Sequence, residues 1–180
     1  LRLGLKRMKR LLALFALALT ALPAQAQLAG LDAGVYGSWW KPEDLDKGYG
    51  GGAVVRGQLL EFLGFDARAG YFSFGDPDVD MVPVEIAAML RFPLPVISFF
   101  GGVGGGYYTF SGEDGFSLDD ETGAFAKLGV EGALGDWLVF VEWRYQILKA
   151  DVDQAGGGFA EGDEIDFGGS GFSLGLTYRF

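Results

Sequence analysis

From residue 32 to the last residue the chain alternates between apolar and polar positions. The final stretch shows it most plainly. Phe172, Leu174, Leu176, Tyr178 and Phe180 are apolar or aromatic, and Ser173, Gly175, Thr177 and Arg179 between them are small or polar. A period of two belongs to a strand with one apolar face and one polar face. Eight such segments can be drawn: Asp32–Lys41, Tyr49–Leu60, Leu63–Phe74, Met81–Phe92, Val96–Phe110, Thr122–Leu134, Trp137–Lys149 and Ile165–Phe180. Pro83 falls inside the fourth and weakens its first residues as ladder partners.

The connections also alternate. After the second, fourth and sixth segments they are tight: Glu61-Phe62, Pro93-Leu94-Pro95 and Gly135-Asp136. After the first, third, fifth and seventh they are long: Pro42–Gly48, Gly75–Asp80, Ser111–Glu121 and Ala150–Glu164. Short turns at one end and long loops at the other are the habit of a transmembrane barrel with both termini on the short-turn side. A soluble sandwich has no reason to keep that rhythm. Each segment exceeds or meets the roughly 9–11 residues that a tilted strand needs to cross the hydrocarbon. Open sheet edges cannot face lipid, so the sheet must close. The predicted fold is all-β: one eight-stranded antiparallel up-and-down transmembrane barrel, spanning residues 27–180 as a single domain.

Residues 1–26 read differently. Lys6, Arg7, Lys9 and Arg10 form a basic stretch, Leu11–Leu22 is apolar apart from Thr20, and Ala24-Gln25-Ala26 offers a small-residue cleavage site. This is the pattern of a secretory signal peptide. Its apolar core is shorter than the roughly 20 residues of a spanning helix. Met8 is the expected translation start, with residues 1–7 an extension. Removal of the leader takes Arg2 and the four basic residues above with it. The formal charge thereby moves from −10 to −15, on 24 acids in all. An exported chain this acidic is a poor partner for nucleic acid. It has no Cys and no His. Disulfides, thiolate metal sites, lipid attachment at a cysteine and His-based catalysis are all removed at once.

Charge decides which face is which. In Trp137–Leu148, one face carries Trp137, Val139, Val141, Trp143, Tyr145 and Ile147; the other carries Glu142 and Arg144. A base on the lipid face at the bilayer midplane costs about 2–4 kcal/mol. The charged face must therefore look inward. The same rule turns Arg56, Asp66, Arg68, Glu85, Arg91, Lys127, Glu131, Glu142, Arg144 and Arg179 into the lumen. It turns Phe172, Leu174, Leu176, Tyr178 and Phe180 out to lipid. An eight-stranded barrel is just wide enough to be filled by side chains. Four acids and six bases in that space are expected to pair into a closed polar core, since an unpaired buried charge is expensive. A conducting or gated path through them stays open as the alternative.

Trp39, Trp40, Tyr71, Tyr107 and Tyr145 are expected in an aromatic belt at the long-loop interface. Phe92, Trp137, Tyr178 and Phe180 are expected in a second belt at the short-turn interface. Sixteen of the acids sit in the long connections: Glu43, Asp44, Asp46; Asp76, Asp78, Asp80; Glu113, Asp114, Asp119, Asp120, Glu121; Asp151, Asp153, Glu161, Asp163, Glu164. They read first as solvated, mutually repelling loops. Divalent cations bridging them to lipopolysaccharide phosphates are the chemical alternative.

Two motifs suggest catalysis or cofactors and fail. Gly171-Phe-Ser173-Leu-Gly175 matches the nucleophile-elbow spacing, yet Ser173 lies inside a strand in a chain without His. The run Gly101–Gly106 lacks the Lys-Ser/Thr of a phosphate loop and has Tyr107 where a dinucleotide loop needs Gly. Its glycines read as a steric device: they let neighbouring side chains fit a narrow lumen. No catalytic residue, cofactor or metal site is assigned.

Taken together, Ala24-Gln-Ala26, the short/long rhythm and Leu174-Gly-Leu-Thr-Tyr-Arg-Phe180 resemble the small outer-membrane barrels of Gram-negative bacteria: the OmpA transmembrane domain, OmpX, OmpW and the opacity-type proteins. The resemblance runs over residues 27–180. It implies a non-enzymatic, porin-like protein of the cell outer membrane and surface, surrounded by outer-membrane lipid and lipopolysaccharide. It implies that the barrel assembly machinery reads the strand Phe172–Phe180, with its aromatic residues at alternate positions. It implies either a structural or surface-interaction role or, as in OmpW, a narrow channel for small or apolar solutes. The enzymes of this architecture use a histidine, which this chain lacks.

Overall fold

The computed structural model describes residues 30–75, 78–112, 117–154, 160 and 162–180. The leader, and among the loop acids Asp76, Glu113, Asp114, Glu161 and the side chain of Asp78, lie outside the described residues. Among the described residues eleven strands follow one another: β1 Leu31–Pro42, β2 Gly48–Gln58, β3 Leu63–Gly75, β4 Asp78–Pro93, β5 Ile97–Gly112, β6 Ser117–Leu118, β7 Glu121–Leu134, β8 Trp137–Ile147, β9 Lys149–Gln154, β10 Glu164–Asp166 and β11 Gly169–Arg179.

Eight of them close a barrel in the order β1-β11-β8-β7-β5-β4-β3-β2, every pair antiparallel. The register fixes its shape. Following hydrogen-bonded partners once around the wall from Asp32 leads through Arg56, Asp66, Ala87, Gly104, Phe125, Gln146 and Gly169 to Pro42, ten residues up the same strand. A stagger of that size over eight strands tilts them about 40° from the barrel axis, so each residue climbs about 2.5 Å. Lipid-facing and lumen-facing side chains alternate along every strand as expected. On β8, Trp137, Val141, Trp143, Tyr145 and Ile147 are exposed, and Leu138, Phe140, Glu142 and Gln146 are buried.

Three differences from the expected elements matter. The segment 165–180 is two strands, not one. The break is at Phe167-Gly168, and Gly169 restarts the strand with φ at +141°, where an added β-carbon would overlap the Lys41 carbonyl oxygen. The segment 137–149 ends at Ile147, and the chain resumes as β9. The long connections are not simply solvated, because β6, β9 and β10 pair into a small antiparallel sheet beyond the barrel's long-loop end. Leu45, Leu118, Val152 and Ile165 are buried there. Acidic side chains point outward from the loops while the apolar residues between them pack inward.

The β3–β4 ladder also has a gap. Pairing runs from Leu63–Leu90 to Ala69–Val84 and resumes at Phe72–Met81, skipping Gly70 and Tyr71 opposite Val82 and Pro83. Pro83 has no N–H to donate. The β4–β5 ladder passes Pro83 unbroken, opposite Tyr108.

Candidate functional site: the filled lumen

The lumen has two tiers. The lower begins at the short-turn end and is ionic. Arg179 stands half-exposed on the rim and donates from Nε to Asp32 at 3.2 Å. Asp32 is buried and also faces Arg91, whose Nε lies 2.8 Å from Glu131. Glu131 accepts from Arg56 Nη1 at 3.3 Å. Arg56 Nε donates to Asp66 at 2.9 Å. Asp66 and Glu142 then share Arg68: Nε donates to Asp66 at 2.7 Å, while Nη1 and Nη2 grip the two Glu142 oxygens at 2.8 and 2.6 Å. Lys127 Nζ sits 3.0 Å from Asp66 and 3.6 Å from Glu142. One step higher, Arg144 forks onto both Glu85 oxygens, and Tyr108 donates to the same carboxylate at 2.9 Å.

Each partner reaches this chain because its strand places it at the right height on the inner face. The two-pronged fit of guanidinium to carboxylate gives geometry as well as energy. Aromatic rings fill the space between. The Arg56 guanidinium lies over Phe140 at 3.8 Å and Phe100 at 4.9 Å. Arg144 covers Phe125 at 3.8 Å, and Arg68 faces Tyr36 at 5.1 Å. Those rings need missing side chains on the opposite wall. A β-carbon on Gly175 would overlap the Phe140 ring, and one on Gly129 would overlap Phe100.

Of the sequence-predicted lumen charges, all but Arg179 lie in the interior, and Arg179 closes the lower rim. The signal from alternation missed Asp32, which shares its strand face with Tyr36 and Trp40 and brings a fifth acid. Within the wall, Asp32, Asp66, Glu85, Glu131 and Glu142 face Arg56, Arg68, Arg91, Lys127 and Arg144, so formal charges cancel. Trp40 is a correction. It was expected in the lipid-interface belt with Trp39, but adjacent strand residues face opposite ways, and Trp40 is buried in the lumen.

The upper tier is apolar. Trp40 meets Phe72 and Phe74 edge-on, with centroids 5.7 and 6.3 Å apart. Phe167, from the connection between β10 and β11, inserts against Phe74 at 5.7 Å and Phe110 at 4.6 Å. Met81, Leu148, Val79 and Ile165 complete the plug, all buried. The β1–β2 loop straps it down: Glu43 N donates to Gly168 O, and Asp166 N donates to Asp44 Oδ2, both at 2.9 Å. At the seam between tiers, the Gln146 carboxamide and Trp40 Nε1 are buried without a hydrogen-bond partner.

At the short-turn mouth the floor of the ionic tier opens into a vestibule of about 470 Å³, lined by Gln58, Arg91, Leu94, Ser98, Glu131 and Arg179. Ser173, the residue at the elbow-like spacing, lies on the inner face of β11 and donates from Oγ to Ser38 Oγ at 3.0 Å. Outside the barrel, the exposed Lys149 donates to Glu164, and this carboxylate raises the pKa of the amine. The final strand presents Phe172, Leu174, Leu176, Tyr178 and Phe180 on its outer face. Trp137, Tyr178 and Phe180 form a run of edge-on rings at the lower interface.

Solved structures share this architecture. The outer membrane protein OprG from Pseudomonas aeruginosa superposes with a TM-score of 0.63 at 17% identity, over 84% of this chain and 95% of that one. Neisserial surface protein A gives 0.64 at 14% identity over 84% and 96%. The outer membrane protein AlkL, solved in lipid bilayers, gives 0.57 at 17% identity over 84% and 90%. No family model and no curated relative matches the sequence. The chain folds as a small eight-stranded barrel of the outer-membrane kind.

Proposed function

We propose that this small outer-membrane barrel is a non-enzymatic protein with a structural or surface-interaction role, whose lumen is closed to ions. The observation that carries the reading is the continuous ion-pair chain from Arg179 to Lys127, which occupies the lower lumen with side chains that are almost all buried. A permeating ion would need a break in that chain, and each break strands a charge at about 3–5 kcal/mol. The acidic long-loop end then serves as the contact surface, with divalent cations bridging it to lipopolysaccharide phosphates. The outer row Phe172, Leu174, Leu176, Tyr178 and Phe180 serves as the strand read by the assembly machinery. Single-channel recording in planar bilayers tests the central claim. No steady conductance is expected from the wild-type protein; steady conductance would overturn the closed-lumen reading.

A narrow path for small or apolar solutes is the second reading. It is favoured by the gap in the β3–β4 ladder at Pro83 beside the apolar upper tier. A cross-link between cysteines placed at Tyr71 and Val82, which lie opposite each other on the outer face, would close that gap. Uptake of an apolar solute that falls on cross-linking would favour this path.

A further inference from the structure

The short-turn end carries apolar side chains where a water-facing turn would carry polar ones. Leu59, Leu60 and Phe62 in the β2–β3 turn and Leu94 in the β4–β5 turn are each more than half exposed. Val96 is 80% exposed and Leu134, before the β7–β8 turn, is 69% exposed. They ring the rim, with at least one in or beside each short turn. The charged groups around them are few: Glu61, Asp136 and the half-exposed Arg179 on the rim, with Arg91 and Glu131 inside the mouth, against the acid-rich opposite end.

The backbone of these turns is also closed on itself. Leu59 N and Leu60 N both donate to Leu63 O at 2.9 Å, and Leu94 N donates to Ile97 O at 2.8 Å. Pro93 and Pro95 have no N–H. The turns are tied to neighbouring strands as well: Arg91 N donates to Phe62 O, and Arg179 N to Asp136 O, at 2.8 Å each. Internal satisfaction of backbone groups is what a water-poor surrounding demands.

Height completes the argument. On β8 the lipid-facing row from Trp137 to Ile147 already spans about 25 Å, the usual apolar band of such a barrel. Leu134 pairs with Trp137 at the foot of that row, so the exposed apolar residues in and beside the three turns adjoin its lower edge. We propose that the short turns are sunk in the inner leaflet, with phospholipid acyl chains and glycerol groups as their partner, and do not project into periplasmic water. Glu61, Asp136 and Arg179 then lie at headgroup level.

The chain has no Cys, so single-cysteine variants can be spin-labelled directly. L60C, V96C and L134C are placed in phosphatidylethanolamine–phosphatidylglycerol vesicles beside V141C, on the lipid-facing wall, and D46C, in the acidic β1–β2 loop. The expected result is relaxation by oxygen at all three rim sites as at V141C, with loss of the nickel-chelate accessibility seen at D46C. Nickel accessibility at the rim equal to D46C would overturn the inference, as would dipolar broadening showing a second copy seated there. The V141C control separates this outcome from failure of the membrane placement itself. The three sites lie on separate hairpins, so misfolding of one variant leaves two readings.

Discussion

The two tiers of the lumen close the same bore by opposite means. Below, Arg68 and Glu142 hold each other by two hydrogen bonds, and each has a second partner in Asp66 or Lys127. Above, Phe167 is held by apolar packing, with the Phe74 and Phe110 rings against it. The ionic tier is interdependent: removal of one member strands others that cannot leave. The apolar tier is divisible: a lost side chain leaves a cavity, and neighbours relax into it. The same barrel wall therefore meets two different penalties depending on height.

The largest effect is expected at Glu142. E142A leaves Arg68 and Lys127 buried with Asp66 as their remaining close acid, and costs about 4 kcal/mol, in the range for breaking a buried pair. Denaturant unfolding in detergent micelles, followed by the heat-dependent gel mobility of the barrel, reads that loss. A drop below about 1 kcal/mol, the scale of an exposed pair, would mean that water reaches the network.

That network was largely legible in the sequence, and physics says why. Lipid on one side forces every charge in a spanning segment to the other side, so Glu142 and Arg144 orient all of β8. Asp32 escaped because it opens its strand, where the face is not yet set by neighbours. Trp40 escaped because two adjacent tryptophans give no clue to which one faces in. The upper plug escaped for a different reason. Phe167 sits where the apolar positions change face, from the buried Ile165 and Phe167 to the exposed Phe172 and Leu174, and the glycines at 168 and 169, where β10 has ended and β11 begins, carry no sign of that change. The sheet of β6, β9 and β10 is built from strands of two, six and three residues. Runs so short leave little periodic signal.

The apolar tier gives the next effect. F167A removes the ring wedged between Phe74 and Phe110 and costs about 3 kcal/mol at the low end for a buried Phe. Its signature is local. Amide exchange at Glu43 and Asp166, whose donors bind Gly168 O and Asp44 Oδ2, should accelerate while β8 and β11 keep their protection. Equal loss of protection in β8 would show that the tiers unfold together and erase the contrast between them.

The seam should respond in the opposite direction. Gln146 is buried with both amide atoms unpartnered, a burden of about 1–3 kcal/mol for a desolvated polar group. Q146M keeps the length and removes the polar atoms, so stability should hold or rise by up to about 1 kcal/mol. A clear destabilisation in the same unfolding assay would mean that the amide is hydrogen-bonded in the membrane, and that the ionic tier extends higher than Arg144.

The smallest effect is expected outside the barrel, where the same chemistry is fully hydrated. Lys149 and Glu164 form an ion pair between β9 and β10, both side chains about half exposed. The carboxylate raises the Lys149 pKa, so the folded state holds that proton more tightly than the unfolded chain. Any stabilisation is then complete below the ordinary lysine pKa and fades as pH rises through the raised one. Water and salt screen such a pair, so K149Q should leave the unfolding midpoint unchanged at neutral pH. Wild type and variant should diverge, if at all, only at low ionic strength, and should converge again in strongly alkaline buffer. A neutral-pH loss comparable to that of E142A would show that burial does not separate the lumen pairs from the surface pair, and the difference between the two would have to lie in the number of partners each charge has.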